Sequence, residues 1–218
     1  MNLEKMDEFF ERRLEGYEEH QLRCIAAANI FYPKTASLLP SAPGSAVLDL
    51  GCGTGLELDE YYKKNPQAAI TGIDLSSKML DVLRAKHPDK DLTLLCGSYF
   101  DLPLGEACYD AAVSVESLHH FTVEQKIPLY EKIRRALKEG GFFLLTDYMA
   151  QSEQEEAACF ASFAKLRCQQ GILEGTLCHY DTPLTPEHET QALLSAGFSR
   201  VDFLGRWEGT VMLRAHTR

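Results

Sequence analysis

Three features are scarce or absent in this 218-residue chain: paired cysteines, long apolar runs and basic charge. Its seven cysteines include no C-x-x-C pair, which argues against a disulfide framework or a structural zinc site and favours free thiols in a reducing compartment. The longest uncharged apolar stretches, such as residues 24–32, are too short to span a bilayer. The acidic N-terminus contains no signal peptide pattern. We therefore expect a cytoplasmic protein with no membrane partner.

Acidic residues outnumber basic ones, with 32 Asp and Glu against 22 Lys and Arg and a formal net charge of −10. Binding to nucleic acid depends on Lys and Arg side chains that neutralise phosphates, so this balance disfavours a nucleic-acid partner. The length suits one domain with appendages, and we expect a monomer or a homodimer.

From residue 46 onward, short apolar runs alternate with segments of helical character. The predicted strands are 46–50, 69–74, 92–96, 110–115 and 142–146, and the predicted helices between them are 56–64, 77–85 and 123–138. This alternation predicts an α/β fold with a doubly wound, mostly parallel sheet. Runs at 200–204 and 210–215, joined by a link at 205–209, predict a C-terminal antiparallel hairpin that completes seven strands. Pro128 raises the alternative that its helix begins later.

Two segments lie outside this alternation. Residues 1–45 have apolar side chains at helical spacing, no strand pattern, and prolines from Pro33 onward that should end the helices. Residues 150–183 form a helical insertion after the fifth strand, where Ser152 and Glu155 predict a capping box. Thr185 is the predicted N-cap of the next helix. We expect residues 1–45 to form a lid and residues 150–183 a substrate cap on a domain of residues 46–218.

The strongest signal is the sequence D-L-G-C-G-T-G at residues 49–55, between the first strand and a helix. Glycine permits sharp turns and close approach of a ligand, and the free N–H groups of a helix start favour an anionic ligand group. The dinucleotide fingerprint requires glycine at its sixth position, where this chain has Leu56. Asp49 disfavours a pyrophosphate and suits a ligand with an ammonium or sulfonium charge.

A second acidic residue, Asp74, ends the second predicted strand, where a carboxylate can accept both hydroxyls of a ribose. The alternative is that Asp74 only caps the helix that begins near Ser77.

On these motifs the chain closely resembles the class I methyltransferases that use S-adenosylmethionine, over most of residues 46–215. The resemblance implies that the glycine loop holds the methionine part of the cofactor and that the acid after strand two binds its ribose. These roles fall on Gly51, Gly53, Gly55 and Asp74. The full set of cofactor-binding residues that we predict is Asp49, Gly51, Cys52, Gly53, Gly55, Asp74, Leu75, Met79, Ser98, Tyr99 and Val115.

The segment after strand three, G-S-Y-F-D-L-P-L at residues 97–104, resembles a third family motif. Relatives usually carry an acid at the position of Ser98 to bond the adenine amino group, so this contact is weaker here or made by the backbone. Tyr99 and Phe100 add aromatic surface beside the adenine, unless Phe100 only fills the core.

Candidate catalytic residues lie in or near the segment E-S-L-H-H-F at residues 116–121, which follows strand four. Methyl transfer from a sulfonium is an in-line displacement that requires an aligned nucleophile, and a base only where the acceptor atom holds a proton. His119 is the first candidate for that base, with a purely structural role as its alternative. Tyr17 is the aromatic of the lid, which either covers the cofactor or packs its helix. Further candidates are Glu116, His120, Asp147 and Tyr148.

These observations predict an S-adenosylmethionine-dependent methyltransferase acting on an O, N, S or C atom of a small-molecule acceptor. Residues 114–117 lack the paired prolines of DNA adenine methyltransferases, and the chain has no Pro-Cys nucleophile. We expect no metal, because Cys168, Cys178 and His179 lack a fourth ligand at suitable spacing. Two alternatives remain: an NAD-dependent oxidoreductase, which Leu56 and Asp49 disfavour, and a non-catalytic S-adenosylmethionine-binding protein on the same fold.

Overall fold

The computed structural model describes residues 2–173 and 175–218, in which two layers of helices cover a seven-stranded sheet. The strands are β1 (Glu4–Lys5), β2 (Ala46–Leu50), β3 (Ala69–Asp74), β4 (Leu92–Cys96), β5 (Tyr109–Val115), β6 (Leu137–Tyr148), β7 (Cys178–His179), β8 (Arg200–Trp207) and β9 (Thr210–His216). The helices are α1 (Met6–Arg12), α2 (Tyr17–Cys24), α3 (Ala28–Leu38), α4 (Leu56–Lys64), α5 (Ser77–Lys86), α6 (Val123–Ala136), α7 (Glu153–Gln170) and α8 (Pro186–Ser195). Met1 and Glu174, which belong to the predicted lid and cap, lie outside the described residues.

The sheet has the strand order β4-β3-β2-β5-β6-β9-β8 within the described residues. Strands β2 to β6 are parallel, and β9 runs antiparallel to both β6 and β8. The predicted α/β fold with its C-terminal hairpin is therefore confirmed. The hairpin turn is shorter than predicted, because β8 continues to Trp207 and only residues 208–209 connect it to β9. The carboxyl ends of β2, β3 and β5 meet at one edge, where the order of the sheet reverses.

Each face of the sheet is buried against helices because side chains alternate along its strands. On one face, Leu48 and Leu50 pack with Leu129 and Ile133 of α6 and with Leu193 of α8. On the other face, the packing partners come from β2, α3, α4 and α5, and they include Val47, Phe31, Tyr61, Leu58 and Leu83.

Three details of the predicted elements are wrong. Pro33 lies inside α3 instead of ending it, and α6 ends at Ala136 instead of residue 138. The predicted start of α6 at residue 123 is confirmed, and the alternative of a later start fails because Pro128 lies inside the helix. Each proline removes one backbone donor, but α3 keeps a buried face, and the Gln125 side chain accepts a hydrogen bond from Thr122 N–H at the start of α6. The third difference is β1, a two-residue strand that pairs antiparallel with β7 and so ties the N-terminus to the insertion.

The predicted helix starts in the C-terminal half are confirmed. Ser152 Oγ accepts a hydrogen bond from Glu155 N at 3.2 Å, and Thr185 Oγ1 accepts one from His188 N at 3.3 Å. The Glu155 side chain bonds the N–H of Gln151 instead of that of Ser152, so the first cap is not the reciprocal box. Within residues 2–173 and 175–218, no helix is both long and apolar enough to cross a membrane.

Candidate active site

The glycine loop turns sharply between β2 and α4. Gly51, Gly53 and Gly55 have φ values of 74°, 49° and 77°, in the left-handed region that favours glycine. A Cβ atom on Gly51 would lie 2.0 Å from Ser117 Oγ, so this position has no room for a side chain. Gly55 serves packing, because its Cβ would lie 2.4 Å from Leu83 Cδ1 of α5. The loop thus needs its glycines for two different physical reasons.

Asp74 fastens the loop to the end of β3. Its Oδ2 accepts a hydrogen bond from Gly53 N at 2.9 Å, and its Oδ1 accepts one from Ser76 N at 2.8 Å. The N-cap of α5 is Ser76, whose Oγ accepts a hydrogen bond from Met79 N, so Asp74 is not the cap of that helix. Burial raises the pKa of the Asp74 carboxyl, although these backbone donors oppose that shift.

A narrow cleft of about 50 Å³ lies beside the loop. Seven of the residues predicted to bind the cofactor line it: Gly51, Gly53, Asp74, Leu75, Met79, Tyr99 and Val115. Tyr99 is held in place by a hydrogen bond of 3.2 Å between its hydroxyl and Ser117 Oγ. The structure therefore brings most of the predicted cofactor residues to one place.

Four predicted residues do not line this cleft: Asp49, Cys52, Gly55 and Ser98. Asp49 is fully buried, and desolvation together with neighbouring Glu57 raises its pKa well above the usual range. Asp49 does not line the cleft, and its role as an anion for a positively charged ligand stays a prediction. Cys52 is buried beneath Gly72, and Ser98 Oγ accepts a hydrogen bond from Phe100 N within its own loop.

Other residues of the cleft were not predicted as cofactor contacts: Met6, Phe10, Ser117, Glu116 and His120. Met6 and Phe10 belong to α1, which is far from the loop in sequence. The sequence offers one signal for this arrangement: the helical spacing of Phe10 and Tyr17 could have placed these two side chains on the same side of the lid.

A second, larger cavity of about 780 Å³ adjoins the cleft. Its walls come from α1, α2, the ends of β5 and β6, the segment after β7, and the β8–β9 turn. The two cavities share four lining residues, Phe10, Tyr17, Glu116 and His120. Burial raises the pKa of the Tyr17 phenol, which keeps it protonated. A ligand in the cleft would therefore meet a ligand in the larger cavity at these four side chains.

His119 lines the larger cavity and is locked in position by Asp147. The His119 Nδ1 atom lies 2.5 Å from Asp147 Oδ1, and Leu118 N donates to Asp147 Oδ2 at 2.8 Å. Desolvation lowers the pKa of His119, but Asp147, Glu116 and Asp181 together raise it to about 9. The raised pKa favours the imidazolium form of the ring, in which both nitrogens donate hydrogen bonds.

Residues 180–182 of the insertion contact both His119 and His120. Thr182 N donates to the His119 carbonyl at 2.7 Å, and His120 Nδ1 lies 3.2 Å from the Tyr180 carbonyl oxygen. Asp181 Oδ1 lies 3.6 Å from His119 Nε2 and 3.3 Å from His120 Nδ1. These neighbours hold the pKa of the Asp181 carboxyl below its usual range through the His120 hydrogen bond and the imidazole charges, against desolvation.

Two clusters of side chains each place three potential metal-ligand atoms within 4.8 Å of one another. One cluster consists of His119, His120 and Asp181, and the other of Glu116, His119 and Asp147. In the second cluster His119 is hydrogen-bonded to Asp147, and in the first Asp181 lies within ion-pair distance of both imidazoles. Independence from metals stays a prediction.

Glu116 lies at the end of β5 in an unusual backbone conformation. Its φ is 50°, in the left-handed region that side chains other than glycine rarely adopt. Thr210 Oγ1 donates to Glu116 Oε1 at 2.8 Å. Burial, Asp147 and Asp181 raise its pKa and His119 lowers it, with a net value of about 7.

Residues 47–141 match the model of a protein family described as a methyltransferase domain. Over 137 residues the chain is 34% identical to an Arabidopsis thaliana protein named tRNA (carboxymethyluridine(34)-5-O)-methyltransferase, covering 62% of this chain and 31% of that one. Over 169 residues it is 32% identical to a malonyl-acyl-carrier-protein O-methyltransferase of Herminiimonas arsenicoxydans, covering 77% of this chain and 58% of that one. The chain thus spans about three to six tenths of these relatives' lengths.

Among solved structures, the fold is similar to human N-acetylserotonin methyltransferase in complex with S-adenosylmethionine. The TM-score is 0.63 at 19% sequence identity, over 87% of this chain and 52% of that one. At this identity the likeness concerns the fold alone.

Proposed function

Because this chain belongs to the class I S-adenosylmethionine-dependent methyltransferases, we propose that it transfers the methyl group of S-adenosylmethionine to a small-molecule acceptor. The observation that carries this proposal is the junction of the two cavities. The cleft beside the glycine loop would hold the cofactor, the larger cavity the acceptor, and their four shared side chains would surround the methyl group.

The cofactor residues follow from the walls of the cleft. The amino acid part of the cofactor would lie along Gly51 and Gly53, and the ribose hydroxyls would bond Asp74. Leu75, Met79, Tyr99 and Val115 would enclose the adenine and the thioether. The cleft is narrow, so a nucleoside would have to widen it. We assign that movement to the N-terminal lid, whose Tyr17 hydroxyl lies 3.8 Å from the Cβ position of Gly53.

Replacing Asp74 by alanine should weaken binding of S-adenosylhomocysteine by about 1–3 kcal/mol, the usual effect of losing a charge-assisted hydrogen bond. Isothermal titration calorimetry measures this change. Asp89→Ala, which removes an exposed carboxylate after α5, is the matched control. Equal affinity in the Asp74 variant and the wild type would refute the ribose assignment.

The acceptor cavity is formed by the predicted lid and cap segments. Phe9, Phe10 and Tyr17 come from residues 1–45, and His179 and Asp181 come from residues 150–183. The Phe9 ring stacks on His179 with their centroids 3.4 Å apart, so the two segments contact each other over the cavity. We therefore assign acceptor selection to these segments.

A small molecule is favoured over a macromolecule by the chain's charge. The net charge of −10 opposes a polyanion such as tRNA, which the Arabidopsis relative's name includes. Near the junction the ionisable groups include Glu116, Asp181 and the histidines, and the two arginines of the cavity are ion-paired to Glu4 and Glu8. Both of these arginines are thus engaged with carboxylates of this chain.

His119 and Tyr17 remain the proposed catalytic residues, with roles that suit their charge. The His119 imidazolium would donate to the acceptor or set the charge of its neighbours, and Tyr17 would close the junction. Replacing His119 by alanine should lower turnover by about 100-fold while leaving the affinity for S-adenosylhomocysteine nearly intact. Initial rates and calorimetry measure the two effects, and His216→Ala, at the end of β9 and paired with Asp202, is the control. If the His119 variant loses affinity for S-adenosylhomocysteine to the same degree as it loses turnover, His119 has a structural role.

The proposed function is tested with methyl-labelled S-adenosylmethionine. The protein is incubated separately with the low-molecular-weight, RNA and protein fractions of a cell extract, and labelled products are identified by mass spectrometry. We expect label in the low-molecular-weight fraction, together with binding of S-adenosylhomocysteine and not of NAD. Label found only in the RNA fraction or only in the protein fraction would contradict the proposal that the acceptor is a small molecule. Cofactor binding without transfer in any fraction would favour the non-catalytic alternative.

A further inference from the structure

Glu116 is the carboxylate at the junction of the two cavities. It lines both of them, whereas His119 lines only the larger one. A group that receives a proton during methyl transfer has to reach the acceptor atom while that atom meets the methyl carbon. His120 also lies at the junction, where its Nδ1 contacts the Tyr180 carbonyl and Asp181, but desolvation and the charge of His119 lower its pKa and make it a weaker base. Position therefore selects Glu116 and His120, and basicity favours Glu116 of the two.

The backbone and the neighbours of Glu116 hold its side chain in one orientation. The left-handed conformation is strained for a residue with a side chain, and such strained residues concentrate at functional sites. Glu116 N donates to the Thr146 carbonyl at 2.9 Å, and Thr210 donates to Glu116 Oε1. Among the described residues, Oε2 has no hydrogen-bond partner, so it is the oxygen available to a ligand.

The charges around Glu116 suit a proton acceptor. The groups that face it are His119 in the segment after β5, Asp147 of β6, Asp181 after β7, and the phenols of Tyr17 and Tyr32 from α2 and α3. The two aspartates and burial favour the protonated form, and the His119 imidazolium favours the carboxylate. The resulting pKa of about 7 lets the group accept a proton near neutral pH and release it again.

We propose that the Glu116 carboxylate is the general base of this enzyme and that the acceptor atom carries a proton, as a hydroxyl or an N–H group does. This inference rests on the proposed function. The acceptor's lone pair forms the bond to the methyl carbon, and the carbon–sulfur bond breaks with its electron pair going to sulfur. The acceptor's proton passes to Glu116 Oε2. The charge of His119, which is fixed by Asp147, favours the ionised form of Glu116.

The variant Glu116→Gln tests this role, because it keeps the size of the side chain and an oxygen for Thr210. With the acceptor found in the labelled-methyl screen, kcat should fall by at least about 100-fold, with KM and the affinity for S-adenosylhomocysteine nearly unchanged. The wild-type rate should rise with pH through about 7, because only the ionised carboxylate accepts a proton, and the variant should lose that rise. Glu139→Gln, the same change at an exposed position, is the control.

A second measurement needs no acceptor. In protein labelled with ¹³C at its glutamate carboxyls and bound to S-adenosylhomocysteine, the signal that Glu116→Gln removes should titrate near pH 7. A midpoint near the ordinary 4.5 would overturn the proposal, as would an active Glu116→Gln enzyme or one that no longer binds S-adenosylhomocysteine. None of these results contradicts the proposed function. The proposed function fails only if the wild-type protein binds no cofactor or transfers no methyl group.

Discussion

Replacing Glu189 by alanine should lower the free energy of unfolding by about 3–5 kcal/mol. Glu189 of α8 pairs with Lys126 of α6 at 2.5 Å, and the side chains of both are only 1% exposed. Tyr130 also donates its hydroxyl to Glu189. The variant leaves the Lys126 ammonium buried without a counter-charge, which is far more costly than losing a surface pair. Urea denaturation followed by circular dichroism measures the change.

Two further variants separate this explanation from a simple loss of packing. Glu19→Ala, which breaks the exposed pair of Glu19 with Arg23, should change stability by less than about 1 kcal/mol. The double variant Lys126→Met/Glu189→Leu should recover most of the loss, since it removes both buried charges together. A double variant as unstable as Glu189→Ala would contradict the charge explanation.

Replacing Gly51 by alanine should weaken binding of S-adenosylhomocysteine by about 1–3 kcal/mol. The new Cβ would lie 2.0 Å from Ser117 Oγ, at a backbone φ of 74°. Ser117 bonds Tyr99, so moving it would disturb two walls of the cofactor cleft at once. Calorimetric titration measures the affinity of the variant.

Gly140→Ala is the matched control for Gly51. Its φ is 75°, but nothing lies within 4 Å of its Cβ position. It carries the same conformational cost, about 1–2 kcal/mol of stability, without a collision. We expect its affinity for S-adenosylhomocysteine to equal that of the wild type. Equal affinities in both glycine variants would show that the turn at Gly51 does not shape the cleft.

The sheet and the glycine loop could be predicted because their signals are local. Apolar runs bounded by turn residues define the ends of β2, β3 and β4 at the residues that the structure shows. Three alternating glycines between a strand and a helix likewise define a turn without knowledge of its neighbours. The same local pattern did not reveal that Asp49 alternates away from the cleft toward Glu57, or that Gly55 serves packing against Leu83.

The junction of the cavities could not be predicted, because distant segments form it. The β1–β7 pair joins Glu4 to His179, and this contact brings α1 and Asp181 over the end of β5. A periodic pattern of apolar residues carries no information about pairing between two segments so far apart in the chain. The raised pKa values of His119 and Glu116 have the same origin, since Asp147 and Asp181 act on both groups from other elements.

The most direct test of the account is a crystal structure of the protein soaked with S-adenosylhomocysteine. We predict the ribose hydroxyls on the Asp74 carboxylate, the amino acid part along Gly51 and Gly53, and the sulfur facing Glu116 across the junction. An empty cleft, with ligand density elsewhere or absent at saturating concentration, would contradict it.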